Sequence, residues 1–145
     1  MIALIQRVTT ASVDVDGATV ARIGPGLLAL VAVRPDDGEA QALRMCERLL
    51  GYRVFGDENG RMNRSLADTG GGLLLVPQFT LAADTRSGMR PSFTAAAEPQ
   101  AGRLWFERLV EIAKNLHAPV EIGQFGAHMQ VGLVNDGPVT FWLES

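Results

Sequence analysis

Only two stretches of this chain carry apolar residues at helical spacing, and both lie among short segments that read as strands. Helices that interrupt strands, rather than alternating with every one, leave little room for a doubly wound βαβ sheet. They point to an α+β fold with a mixed, barrel-like sheet of about eight strands and two main helices. The first helix, roughly Gly38–Leu50, places Leu43, Met45, Cys46, Leu49 and Leu50 on a broad apolar side. Asp36 with Glu39 three residues later has capping-box chemistry, and Gly51 is a stop signal. The second helix, Glu98–Leu116, repeats Leu104, Trp105, Leu109, Ile112, Ala113 and Leu116 at the same spacing.

The strand segments have their own punctuation. Ile2–Val8 and Ala11–Val15 carry β-branched residues in partial alternation, and Asp16-Gly17 is a hairpin signal leading into Ala18–Ile23. Leu27–Val33 is apolar throughout and reads as a strand buried on both faces. Tyr52–Phe55, then Leu73–Val76 after the break at Gly70-Gly71-Gly72, then Val120–Ile122, Met129–Val134 and Val139–Leu143 complete the set.

At 145 residues with 47% hydrophobic content, the chain is expected to form one domain over residues 1–145 with a core that needs no staples. One cysteine, Cys46, excludes an internal disulfide framework and a multi-cysteine metal site. The longest apolar run is far short of the ~20 residues of a membrane span, and Met1–Arg7 lacks the order of a signal peptide. A cytoplasmic protein with no membrane partner is the expectation. The net charge of −3 argues against a protein that coats nucleic-acid backbone.

Familiar catalytic patterns are missing. There is no phosphate-binding loop, no HExxH and no GxSxG elbow. His117 falls at a helix end, where it complements the dipole, and His128 opens a strand. Cys46 reads as a buried thiol, and Asp14 with Asp16 as a solvated face.

Two segments stand apart. Val76-Pro77-Gln78-Phe79-Thr80-Leu81 runs from an apolar strand into a polar loop that ends Gly88-Met89-Arg90-Pro91-Ser92-Phe93. Pro77 cannot donate to a ladder, so the strand is expected to bulge or lie at an edge. The plain reading is a strand ending in a loop. The functional one is a distorted strand end whose free N–H groups form an oxyanion hole. The other segment is Gly123–Gln130 leading to Asn135-Asp136-Gly137-Pro138-Val139-Thr140. Gly137-Pro138 is most simply a hairpin turn. Its functional reading is a cis bond, which costs only ~0.5–1 kcal/mol before proline and would present two carbonyls to an ammonium group.

Together these segments resemble the D-aminoacyl-tRNA deacylases. The family's Ser-Gln-Phe-Thr stretch and its Arg-Pro-Ser-Phe loop correspond to Pro77–Thr80 and Gly88–Phe93, and its Asn-Asp-Gly-Pro-Val-Thr stretch is present unchanged as Asn135–Thr140. Phe125–Met129, Gln6-Arg7-Val8 and Tyr52–Phe55 leading to Met62-Asn63 also match, in order along the chain. The resemblance implies a homodimer with active sites at the interface, acting on the aminoacylated 3′ end of tRNA. It implies hydrolysis of the D-aminoacyl ester, and some acceptance of glycyl-tRNA, including glycine mischarged on tRNA-Ala.

The resemblance also implies residue roles. Gln78, Phe79 and Thr80 would line the ester site and stabilise the oxyanion through backbone N–H groups. Gly137 and Pro138 would enter the partner's pocket, hold the substrate ammonium and exclude L side chains. Phe125 and Met129 would supply apolar walls, and Arg7 would brace the Gly-Pro segment. Thr80, the one hydroxyl of its motif, is a nucleophile or a positioning group. With no His or Lys base beside it in the sequence, an attacking water helped by the ribose 2′-hydroxyl and positioned by Thr80 is the favoured reading, and no cofactor or metal is expected. Pro77 replaces the family's usual Ser, which removes a hydroxyl and an N–H, and Gly132 replaces a residue that is commonly Ser.

Overall fold

The computed structural model describes all residues, Met1–Ser145. Its elements run β1 (Ile2–Val15), β2 (Ala18–Ile23), β3 (Gly26–Ala32), α1 (Glu39–Gly51), β4 (Phe55–Gly56), β5 (Met62–Arg64), α2 (Leu66–Thr69), β6 (Gly72–Pro77), a 3₁₀ turn (Phe79–Ala82), α3 (Pro99–Leu116), β7 (Val120–Ile122) and β8 (Gln130–Glu144). The α+β expectation holds. A six-stranded mixed sheet in the order β2-β1-β3-β6-β7, with β8 on β1, curls into a barrel-like layer, and β4 and β5 form a separate small pair. No helix is long and apolar enough to cross a membrane.

β3 and β6 lie parallel at the centre, Gly26 opposite Gly72 through Val31 opposite Pro77. Alternation along them feeds two cores. Leu27, Ala29, Val31, Leu73 and Leu75 face a large core shared with Met45, Leu49, Phe106 and Leu109 of the helices. Leu28, Leu74 and Val76 face a smaller core inside the sheet's curl with Val8, Val13 and Ile23. Strands buried on both faces read as unbroken apolar runs, which is why these segments lack a period-2 signal. Each fully buried leucine adds roughly 1.5–3 kcal/mol of transfer free energy.

Several expectations are corrected. The helix faces are narrower than the spacing predicts, because Leu43, Leu104 and Leu116 are exposed. Asp36 does not cap α1. Gly38 occupies the N-cap, and its N–H donates to Gln41 Oε1 at 3.0 Å, while Asp37 accepts from the Arg34 N–H. The Tyr52–Phe55 strand is reduced to Phe55–Gly56. Met129–Val134 and Val139–Leu143 are not two strands joined by a hairpin but one strand, β8, paired with β1 from Gln130 to Glu144. Both flanks, Gln130–Asn135 and Thr140–Glu144, pair with β1 in the same direction, so Gly137-Pro138 between them turns no hairpin. Pro77 does not bulge the strand; it ends β6 at a local edge, paired with Val31 of β3 on one side and beyond the reach of β7, whose pairing covers only Leu73–Leu75, on the other. His117 caps α3, with Nε2 2.7 Å from the Gly71 carbonyl oxygen.

Candidate active site

A cavity of about 490 Å³ opens where β3 and β6 end. Val31, Val33, Val76 and Pro77 form its floor, the start of α3 with Pro99, Gly102 and Phe106 forms one side, and Phe125–Met129 forms another. Ligand sites favour the carboxyl ends of parallel strands, where the chain leaves the sheet and backbone groups are released. The Gln78 N–H donates to the Val31 carbonyl at 2.7 Å and so extends the pairing by one bond. The 3₁₀ turn begins at the next residue. The first N–H groups of such a turn, those of Phe79 and Thr80, have no partner within it.

Four of the residues singled out from the sequence meet here: Gln78, Phe79, Phe125 and Met129 all line the cavity. Gln78 cannot serve as a backbone donor to substrate, because its N–H is already committed to β3. Its side-chain amide instead donates to Thr80 Oγ1, and Thr80 lies beside the cavity rather than on its wall. The half-exposed Phe79 ring packs on Phe93 at 5.2 Å between centroids. The Met129 sulfur accepts the Gln124 N–H at 3.3 Å, which folds the Gln124–Met129 loop over the cavity.

The remaining three lie elsewhere. Gln6 pairs with Thr140 and Val8 with Asn135, so the single residue Arg7 on β1 faces Asp136, Gly137, Pro138 and Val139 on β8. The surplus is pushed out as an exposed excursion with a cis Gly137-Pro138 peptide and Gly137 at φ +134°. Asn135 clamps its base. The side chain accepts the Val139 N–H at 2.9 Å and donates to Thr140 Oγ1 at 2.9 Å. Arg7 holds it from below, with Nε donating to the Asp136 carbonyl at 3.1 Å and one terminal nitrogen to the Val54 carbonyl at 2.6 Å. None of Arg7, Gly137 or Pro138 lines the cavity.

The sequence profile of the family described as D-Tyr-tRNA(Tyr) deacylase matches residues 4–144. The chain belongs to that family. As a deacylase family member it is a hydrolase. It is 69% identical over 144 residues to the D-aminoacyl-tRNA deacylase of Thioalkalivibrio sulfidiphilus (strain HL-EbGR7), covering 99% of this chain and 97% of the relative. It is equally similar to the D-aminoacyl-tRNA deacylase of Stenotrophomonas maltophilia (strain K279a), with 99% of both chains covered. Among solved structures, one titled c-Myc DNA Unwinding Element Binding Protein superposes with a TM-score of 0.95 at 36% identity, over 100% of this chain and 99% of the other. A probable eukaryotic D-amino acid tRNA deacylase shares the fold, with a TM-score of 0.86 at 16% identity over 99% and 98% of the two chains.

Within this deacylase fold the sequence reading missed Asn135 and Thr140 as the clamp. Their signal was present: a short amide beside an Asp-Gly-Pro run is suited to fold back on its own backbone. It also missed Ala97, His128 and Val31 as cavity wall. The loop after the 3₁₀ turn is tied by the Asp84–Ser92 bridge. Side-chain and backbone hydrogen bonds from Arg86 hold the Asp84 carboxyl well below its usual range. No group of three His, Cys, Asp or Glu side chains comes together as a metal site would require.

Cys46 takes no part in the site. It is fully buried in the main core, and burial, with Glu47 nearby, pushes its thiol up to about 11. A raised folded value means the unfolded thiol ionises first. The thiol's contribution to stability is therefore complete below about 9 and is lost as pH rises toward 11. A thiol reagent at pH 8 is expected to leave native protein unmodified and to label one thiol per chain in denaturant. Rapid labelling of native protein would contradict this burial.

Proposed function

We propose that this protein hydrolyses the ester joining a D-amino acid to the terminal adenosine of tRNA, and that it works as a homodimer. The observation that carries this is the division of the candidate residues between two places. The cavity holds Gln78, Phe79, Phe125 and Met129, while Gly137 and Pro138 stand exposed on a braced excursion outside it. Insertion of one subunit's excursion into the other's cavity would complete both sites at once. The free edge of β8 supports such pairing, since β8 pairs only with β1 and exposes Val134 and Trp142. A long unpaired edge is a template for association.

In the completed site the Gly137 and Pro138 carbonyls accept the substrate's α-ammonium. The N–H groups of Phe79 and Thr80 face the developing oxyanion. A missing donor of this kind costs roughly 2.7–4 kcal/mol in enzymes that use one. With ammonium and ester both fixed, exchanging D for L swaps hydrogen and side chain, and the excursion leaves room only for hydrogen. Glycine has no side chain to reject, so glycyl-tRNA, including glycine mischarged on tRNA-Ala, is accepted to some degree. Water attacks with help from the ribose 2′-hydroxyl, and Thr80, held by Gln78, positions rather than attacks. Pro77 in place of the family's Ser leaves these donors in place, because its position ends β6 before the 3₁₀ turn begins. Such a reaction on charged tRNA belongs in the cytoplasm.

The test is release of tyrosine from D-Tyr-tRNA and L-Tyr-tRNA by the purified protein, with sedimentation to report its mass. Rapid release from the D isomer alone, by a dimer, is expected. Equal release from both isomers, or none from either, would defeat the proposal.

A further inference from the structure

Phe125 is a wall with two sides. One side faces the 490 Å³ cavity, and the other bounds a second cleft of about 370 Å³ between α3 and the chain leaving β7. Arg103, Glu107 and Gln124 supply the polar groups of this second cleft. The Arg103 guanidinium lies 5.1 Å from the centre of the Phe125 ring. One turn along α3, Glu107 forms an exposed ion pair with it at 3.8 Å, too long for a hydrogen bond. The Arg103 fork is therefore stacked and oriented, yet its donors remain open.

We propose that this second cleft takes the penultimate nucleotide of the tRNA 3′ end, with Arg103 meeting the phosphodiester that joins it to the terminal adenosine. The inference rests on the deacylase reading above and adds a subsite to it. Phe125 lines both cavities, so an adenosine bound in the first against this ring has the second cleft next to it, within reach of the nucleotide on its 5′ side. The charges fit this occupant better than simpler ones. A bare anion is repelled by Glu107, and a bare cation by Arg103. A nucleotide whose base bears an exocyclic amine brings an anion to one end and a donor to the other, and Glu107 accepts from such an amine. A planar guanidinium matches phosphate oxygens in pairs, and stacking on an aromatic ring orders it beforehand. Recognition then needs only one or two phosphate contacts, which suits a chain of net charge −3.

The full-length protein is assayed on two esters, D-tyrosyl-adenosine and D-tyrosyl-cytidylyl-adenosine. Arg103→Met keeps an unbranched side chain against Phe125 and removes the charge. It is expected to raise KM for the dinucleotide ester on the order of ten-fold, with kcat and the adenosine ester within about two-fold of the parent. Arg103→Lys is expected to recover part of the loss, and the salt dependence of the dinucleotide KM is expected to flatten in Arg103→Met. An equal KM increase on both esters would show that Arg103 acts only through Phe125, and would overturn the subsite. So would an unchanged KM on the dinucleotide ester. If the parent releases tyrosine neither from D-Tyr-tRNA nor from the esters, the deacylase reading fails and the subsite with it; if it cleaves both esters and Arg103→Met is neutral, only the subsite falls.

Discussion

Gly26→Ala is expected to prevent the protein from reaching its native state. Gly26 opens β3 directly opposite Gly72, the first residue of β6. A Cβ added at Gly26 would lie 1.9 Å from the Gly72 carbonyl oxygen and 2.6 Å from its nitrogen. Those atoms belong to the backbone of a central strand, so no side chain can rotate away. The strands would have to separate where the parallel pair begins, and both cores are hung on that pair. The reciprocal substitution meets Ile23, whose Cβ would be 2.8 Å from a Cβ at Gly72. Losses beyond about 4 kcal/mol are exceptional for single changes, and this one belongs among them. That is a large part of the roughly 5–15 kcal/mol that typically holds a domain together. Soluble yield and thermal melting check it, with Gly51→Ala as the control, because nothing lies within 4 Å of a Cβ there. A Gly26→Ala protein that melts within a few degrees of the parent would refute the argument.

Gly137→Ala is expected to remove activity while sparing the fold. Gly137 sits at φ +134°, which L residues rarely adopt, and a Cβ there would lie 2.7 Å from Val139 Cγ2, 3.0 Å from the Val139 nitrogen and 3.1 Å from a terminal nitrogen of Arg7. The Val139 nitrogen is also the one that Asn135 clamps. Relief must therefore come from rearrangement of the excursion. Backbone strain of this kind costs about 1–3 kcal/mol. On an exposed segment it is released locally, so melting should fall by only several degrees. The carbonyls of Gly137 and Pro138 would no longer be held in their present directions. Hydrolysis of D-Tyr-tRNA is expected to drop by about two orders of magnitude or more, since ~3 kcal/mol corresponds to roughly that factor. A folded Gly137→Ala protein with parental activity would remove the excursion from the mechanism.

The parts legible in the sequence were those that depend on one segment at a time. The Asp16-Gly17 hairpin, the apolar runs of β3 and β6 and the two long amphipathic helices each announce themselves locally. So does the break at Gly70-Gly71-Gly72 before β6, although the one-turn helix α2 that Gly70 ends at φ +66° was not foreseen. What stayed hidden depends on pairing. Nothing local to Met129–Leu143 says that both its halves pair with β1, because Gly-Pro is a turn signal unless a partner strand holds both flanks. Capping of α1 failed for a similar reason: Asp37 is drawn to the Arg34 N–H, and Gly38 is left to cap. In the site, residue types were readable but allegiance was not. Gln78 looked like a donor to substrate until its N–H proved to be the last rung between β3 and β6.

β8 does two jobs with one backbone, presenting a sheet edge along its length and the excursion near its middle. Their relative placement is counted in residues from a shared register with β1. Inserting or deleting one residue between Gln130 and Asn135 would turn every later side chain to the opposite face or slide the excursion off Arg7. The Asp84–Ser92 loop carries no such count, since its ends meet in an isolated bridge and its tip is exposed. A change of length at that loop's tip therefore leaves the register of β8 untouched. The length of the last strand is, in effect, a fixed ruler on which both edge and excursion are marked.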